Sequence, residues 1–219
     1  MIMPWSTPIG RQFFICYLVL LMMSTWYDGY ATAAVRISEV CPDPATDWSA
    51  DGELDTRGDE WVEILNTGPD AVDLSGYWLR DALGTAPQIR FHGTLPAGQT
   101  AVFTGDDALA WQQESGEGTA GLSLNNGGDT LELFQGHPEQ GGTLVDVLIY
   151  PAHVGVDDRT MAYLWADDLW ILCDALSPYE GDVEPLGTGC PPTPGLPNSC
   201  EAEVPAESST MSDVKRAWH

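Results

Sequence analysis

Glu60-Trp61-Val62-Glu63-Ile64-Leu65-Asn66, followed by Val72-Asp73-Leu74-Ser75-Gly76-Tyr77-Trp78-Leu79-Arg80-Asp81, decides how this chain is read. Both runs are short, rich in apolar side chains and interrupted by single polar ones, with apolar residues two apart at Val62 and Ile64, Val72 and Leu74, and Tyr77 and Leu79, and Thr67-Gly68-Pro69-Asp70-Ala71 separates them. Alternation with period two puts one face of a strand inward, and Gly, Pro, Asn and Asp supply the backbone angles of turns. The passage reads as a strand, a tight turn and two further strands. Ala71-Val72-Asp73-Leu74, between Pro69-Asp70 and Ser75-Gly76, is too short for a helix and is expected as a strand between turns.

The same punctuation recurs outward from this point. Short runs rich in Val, Ile, Leu, Phe, Tyr and Trp are bounded by turn residues from about residue 35 onward, as in an all-β sandwich. Asp106 to Glu114 could form a helical turn and is expected as a loop excursion. Asn125-Asn126-Gly127-Gly128-Asp129 precedes a strand and reads as a turn, not a phosphate loop. Trp61, Trp78 and Trp170 fall on strand-like segments and are expected to fill the interior. A chain of this length buries one good core, so one domain is expected.

Several segments, taken in order, resemble the lamin-tail domain, an immunoglobulin-like β-sandwich. Arg36-Ile37-Ser38-Glu39-Val40 resembles its opening strand, and the decisive stretch its next ones. Leu95-Pro96-Ala97-Gly98-Gln99-Thr100-Ala101-Val102-Phe103 resembles the middle turn and strand. Leu124 to Leu133 and Val145 to Tyr150 resemble the late strands, and Thr193-Pro194-Gly195-Leu196-Pro197-Asn198 the closing segment of secreted bacterial members. The resemblance covers roughly residues 35 to 200. It implies a fold not known for catalysis, and a role in binding or surface interaction. Relatives that occur beside nucleases and phosphatases imply an alternative, an accessory subunit of an extracellular hydrolase complex.

Residues 1–33 have another character. Arg11, an apolar run from Phe13 to Met23 and the small residues Ala31-Thr32-Ala33-Ala34 give the layout of a secretory signal peptide, with cleavage expected after Ala33. The run is shorter than the roughly 20 residues of a membrane-spanning helix. The expected destination is extracellular or periplasmic. The domain is then residues 34–200, and residues 201–219, polar and without periodicity, are expected to be a disordered tail.

Cys16 would leave with the signal, and Cys41, Cys173, Cys190 and Cys200 would remain. An even number in an oxidising compartment predicts two disulfides, and the spacing alone leaves all three pairings open. The lamin-tail resemblance implies Cys173 with Cys200, which leaves Cys41 with Cys190. No Cys-x2-Cys knuckle is present, and His92, His137, His153 and His219 are scattered, so zinc is not expected.

The net charge of -25, with Lys215 the single lysine, argues against nucleic acid, whose binding needs basic residues to displace counterions. A protein or cell-surface ligand is the expected partner. Carboxylates are densest between Asp43 and Glu60. In calcium-loop order Asp47, Ser49 and Asp51 take positions one, three and five, Gly52 the turn, Glu53 position seven and Asp55 position nine. The twelfth position is Gly58 where a bidentate Glu belongs, and Asp59 or Glu60 could substitute only in a loop that bends differently. Two readings stay open: a weak Ca²⁺ site at Asp47, Ser49, Asp51, Glu53, Asp55 and Asp59, or a solvated acidic loop.

No nucleophile elbow, His-Glu-x-x-His or phosphate loop is found. Asp106-Asp107 and Asp157-Asp158 are carboxylate pairs, but adjacent strand residues face opposite ways and exposed turn carboxylates are expected. Trp48 and Trp111, in polar surroundings, are candidate binding anchors or sugar-stacking platforms, the latter giving a carbohydrate-binding module as a further alternative. The sequence therefore predicts a secreted, non-catalytic binding module.

Overall fold

The computed structural model describes residues 34–200. The expected signal peptide and C-terminal tail lie outside the described residues. Within them, eleven strands and one α-helix follow the order β1 (Val35–Cys41), β2 (Trp61–Asn66), β3 (Val72–Asp73), β4 (Tyr77–Asp81), β5 (Ile89–Arg90), β6 (Thr94–Leu95), β7 (Thr100–Thr104), α1 (Gly105–Ser115), β8 (Gly128–Gln135), β9 (Thr143–Pro151), β10 (Thr160–Leu164) and β11 (Leu169–Cys173). A five-stranded sheet, β11-β10-β1-β2-β7, faces a four-stranded sheet, β5-β4-β8-β9, and β3 pairs with β6 alongside. Every strand pairing is antiparallel.

Alternation chooses the core. Val40, Val62, Ile64 and Phe103 from one sheet meet Leu79, Leu131, Leu133 and Leu148 from the other. Each such side chain contributes about 1.5–3 kcal/mol by leaving water. The alternation is broken once to good effect. In β1 the register slips between Ile37 and Glu39, so Ile37 pairs with Ile64 in the core while Glu39 pairs with Glu63 on the outer face. The extra residue, Ser38, forms a bulge; without it Glu39 would share the inward face of Ile37.

The helix corrects the expected loop at Asp106 to Glu114. Thr104 caps it in a capping box: its side chain accepts from the Asp107 amide while the Asp107 carboxylate accepts from the Thr104 amide. Gly116, with φ of 76°, ends it in a left-handed cap. The expected strand at 71–74 reduces to Val72–Asp73, followed by a single 3-10 turn over Leu74–Gly76.

Of the expected interior tryptophans, Trp61 has no exposed surface, but it pairs with Cys41 on the outer side of its sheet, under the Trp48 ring. Trp78 is only half-buried, covered by the Arg90 guanidinium 5.1 Å from its ring and by His137. Trp170 is half-buried and packs against the core. Strand position fixed that these rings would pack; which face they pack on depended on elements distant in sequence.

Beyond β11 the chain crosses the outer face of the five-stranded sheet as a strap closed by a disulfide between Cys190 and Cys200, whose Cα atoms are 5.5 Å apart. This replaces the expected pairing of Cys173 with Cys200 and Cys41 with Cys190. Cys41 and Cys173 are buried free thiols. Thr160 pairs with Cys173, and extending the β1–β10 register by one residue puts Cys41 on its other side. Two strand spacings, about 9.5 Å, then separate these cysteines, too far for a bridge. Burial pushes the Cys173 thiol up to about 12 and the Cys41 thiol well above its usual range, so neither supplies a thiolate near neutral pH.

Candidate functional site

The acidic loop between β1 and β2 hangs from two carboxylates. Asp158 Oδ1 accepts from the amides of Ala45 (2.9 Å) and Thr46 (3.1 Å) and from the Trp48 indole N–H (2.8 Å). Its Oδ2 accepts from the Thr46 hydroxyl at 2.7 Å. Asp158 is buried and holds a left-handed backbone with φ of 53°. It is therefore not the exposed turn carboxylate expected from sequence. At the other end, Asp59 accepts from the amides of Ser49 and Asp55, both at 2.9 Å.

Between these anchors the predicted calcium ligands divide. Asp47 accepts from the Gly52 amide at 2.9 Å, and Asp51 from the Glu53 amide at 2.7 Å, so both shape the turn. Asp55 accepts from the amides of Arg57 and Gly58 at 2.9 and 2.6 Å. Glu53 is exposed. The sequence reading missed Asp106, in the first turn of α1. A side chain at Gly58 would meet Asp106 Oδ1 at 2.7 Å and Asp55 Oδ2 at 2.8 Å, so the glycine at the twelfth position leaves room for a carboxylate from the helix. Burial, then repulsion from Asp51, Asp55 and Asp59, raises the Asp106 carboxyl, while a hydrogen bond from Ser49 lowers it. Asp51, Asp55, Asp59, Asp106 and Ser49 are thus gathered at one place. The capping pair Thr104 and Asp107, three residues apart, was the signal that could have found the helix and Asp106 with it.

The two candidate anchors also divide. Trp48 is tied by its N–H to Asp158 and edges against Trp61 with ring centroids 6.1 Å apart, so it plugs its own loop. Trp111 is half-buried on α1 and lines a cavity of about 620 Å³ with Arg90, His92, Asp107 and Glu114. Gln112 secures the far side of that helix, donating to the carbonyls of Gln88 (2.6 Å) and Gly121 (2.8 Å) and accepting from the Gly121 amide (3.0 Å). With all its polar atoms used, Gln112 fixes the helix and hence the position of Trp111. A second cavity, about 360 Å³, is lined by Tyr163, Trp165, Thr100, Pro197 and Asn198, with Trp165 half exposed.

Glu117, His137 and Glu139 lie close enough to share a metal ion. The tautomer argues for a different use. His137 Nδ1 accepts from the Glu139 amide at 3.3 Å, which places the ring proton on Nε2, 3.5 Å from Glu117 Oε1. A metal at Nε2 would force that proton onto Nδ1, against the Glu139 N–H. The cluster reads as a His–Glu contact that ties the β8–β9 turn to the loop after α1.

Two antiparallel sheets closing over one core define an immunoglobulin-like sandwich. The family model of the Lamin Tail Domain matches residues 29–152, more than half of the 219-residue chain, and the chain belongs to that family. The match ends at the close of β9, so β10, β11 and the strap lie beyond it. None of the curated proteins matches the chain. The family is one of non-catalytic, immunoglobulin-like interaction modules.

Proposed function

We propose that the chain is an exported, non-catalytic binding module that presents the α1–β5 cleft around Trp111 to a protein or cell-surface ligand. The observation that carries this is the fixed, half-buried Trp111 in a cavity of about 620 Å³ with Arg90 on one side and Asp107 and Glu114 on the other. A large ring held at low conformational cost beside charged groups suits an interface anchor. The charge of -25 favours a basic partner surface and disfavours nucleic acid. Export is supported by the layout of residues 1–33. In the test, the mature chain is used to capture partners from the native secreted fraction, beside Trp111→Ala and Trp48→Ala. Loss of capture with the first alone supports the cleft; equal capture by all three overturns it. The accessory reading predicts that the captured partner is a nuclease or phosphatase.

Calcium binding belongs to the same proposal. Its support is the convergence of Asp55 and Asp106 oxygens at Gly58, with Asp51 and Asp59 beside them. That convergence revises the ligand set inferred from the loop alone toward Ser49, Asp51, Asp55, Asp59 and Asp106. A carbohydrate-binding reading, first placed on Trp48 and Trp111, moves to the half-exposed Trp165 beside Tyr163, ring centroids 5.6 Å apart, and a glycan array with Trp165→Ala tests it.

A further inference from the structure

The strap from Cys190 to Cys200 covers two glutamates that face each other across β1 and β2. Glu39 and Glu63 are register partners on the outer face, and neither has exposed surface. Among the described residues no Lys, Arg or His forms an ion pair with either. The strap itself carries no charged residue. The groups that face Glu39 are Glu63 from β2, the Thr160 hydroxyl from β10, Thr193 from the strap, and the un-ionised thiols of Cys41 on β1 and Cys173 on β11.

Counting protons on the hydrogen bonds decides the charge of the pair. Glu63 is fully supplied as an anion: Ser38 donates its hydroxyl at 2.6 Å, Gly195 its amide at 2.8 Å, and Thr100 a side-chain hydrogen bond. Around Glu39 a proton is missing. Thr160 donates to Oε1, and the Thr193 amide approaches the same oxygen at 3.4 Å. The Thr193 hydroxyl lies 3.0 Å from Glu39 Oε2 and 3.0 Å from Asn198 Oδ1, and both are acceptors. One hydroxyl proton cannot serve two acceptors. The orientation of Asn198 is set independently, since its amide donates to the carbonyls of Ser38 (2.9 Å) and Tyr163 (3.1 Å). The network closes only if Glu39 Oε2 carries a proton and donates it to Thr193, which then donates to Asn198.

We propose that this proton is a latch: protonated Glu39 holds the strap on the sheet, and its loss frees the strap and reshapes the cavity of about 360 Å³ that Pro197 and Asn198 help to wall. Ionised Glu39 would take the Thr193 proton back from Asn198 and place a second charge beside Glu63 under a cover that offers no cation. Burial, reinforced by Glu63, raises the Glu39 carboxyl from 4.5 to about 7. A group whose closed-state pKa is raised favours the closed state fully below its open-state value. That preference then falls by about tenfold per pH unit and is spent above the closed-state value. The window therefore runs from about 4.5 to about 7.

Hydrogen exchange of the Thr193 and Gly195 amides in the mature chain tests this, with Glu39→Gln at each pH as the reference. Glutamine can donate to Thr193 and accept from Thr160, as the protonated acid does, and using it as reference cancels the intrinsic pH dependence of exchange. The ratio of wild-type to variant rates should rise by up to tenfold per unit from pH 5 to 7 and level off above. A ratio that stays flat from pH 5 to 9 overturns the latch. Glu63→Gln, which removes the neighbouring charge while keeping an acceptor for Gly195, provides an independent arm. The rise, measured against amides of β2 in the same molecule, should move to lower pH, because removing the neighbouring charge lets Glu39 ionise more readily, and an unmoved rise overturns the proposal.

Discussion

The acidic loop and the strap-covered face use the same chemical group in opposite ways. In the loop, Asp55, Asp59 and Asp158 each accept two or more N–H bonds and so hold the backbone in place. Under the strap, Glu39 and Glu63 sit opposite one another without exposed surface, and the hydrogen-bond network calls for one proton between them. Glu60, at the end of the loop just before β2, is buried, and its carboxyl is pushed up to about 8 by that burial, against hydrogen bonds from the Leu124 and Ser123 amides. An acidic chain thus uses some carboxylates as acceptors that shape a loop, and raises the pKa of others by burying them.

The largest expected effect breaks the first half of this contrast. Asp158→Ala removes acceptors from two amides, a hydroxyl and an indole N–H at once. Hydrogen bonds to a charged group contribute about 1.5–3 kcal/mol each, and not additively, so a loss of about 3–5 kcal/mol is expected in urea unfolding. Trp48 should become exposed to fluorescence quenching in the same variant. A loss under about 1 kcal/mol would show that the loop does not depend on this anchor.

Next in size is the pH dependence of the buried carboxyls. Glu39 and Glu60 are raised above 4.5 to about 7 and about 8, and Glu63 is raised as well, each chiefly by burial. Raised acids bind more protons in the folded state, so their contribution is complete below about 4.5 and is lost as pH rises toward 7–8. Urea midpoints should fall between pH 5 and pH 8.5, and Glu60→Gln should flatten part of that fall, by an amount on the order of 2 kcal/mol. An unchanged slope in Glu60→Gln would place the proton elsewhere.

How much of this could be read from sequence follows from the range of the interactions. The sandwich was legible because alternation and turn residues are local: Val62 and Ile64 point inward for the same reason wherever β2 is found. The helix was local too, but few of its positions are apolar, and its clearest marks are the caps at Thr104 and Gly116. Glu39 and Glu63 read as outward and therefore solvated. The bulge at Ser38 and a strap 154 residues further along bury them, and no window of sequence contains both. Asp158 lies 110 residues from the Trp48 it holds, so its role was equally out of reach. Trp48 and Trp111 gave the same local signal, a ring in a polar stretch; Trp111 lines a cavity, whereas Trp48 proved to be a plug.

The smallest effect sharpens the loop side of the comparison, because it asks whether those carboxylates serve only the backbone. If Ca²⁺ enters beside Gly58, affinity should be weak, about 10⁻⁴ to 10⁻³ M, since much of the oxygen set already accepts from amides. Stabilisation by a ligand of the native state is RT ln(1 + [L]/Kd), about 1.4 kcal/mol at tenfold excess over Kd, which is a rise of a few degrees in Tm. Asp106→Asn should remove this rise. Because Asp106 is half-buried among Asp51, Asp55 and Asp59, the same substitution should leave the metal-free protein no less stable, or slightly more. Glu53→Gln, on an exposed residue, should leave the calcium response intact. A response that survives Asp106→Asn, or that Mg²⁺ reproduces at equal concentration, would mean that the helix carboxylate is no ligand and the loop is solvated surface.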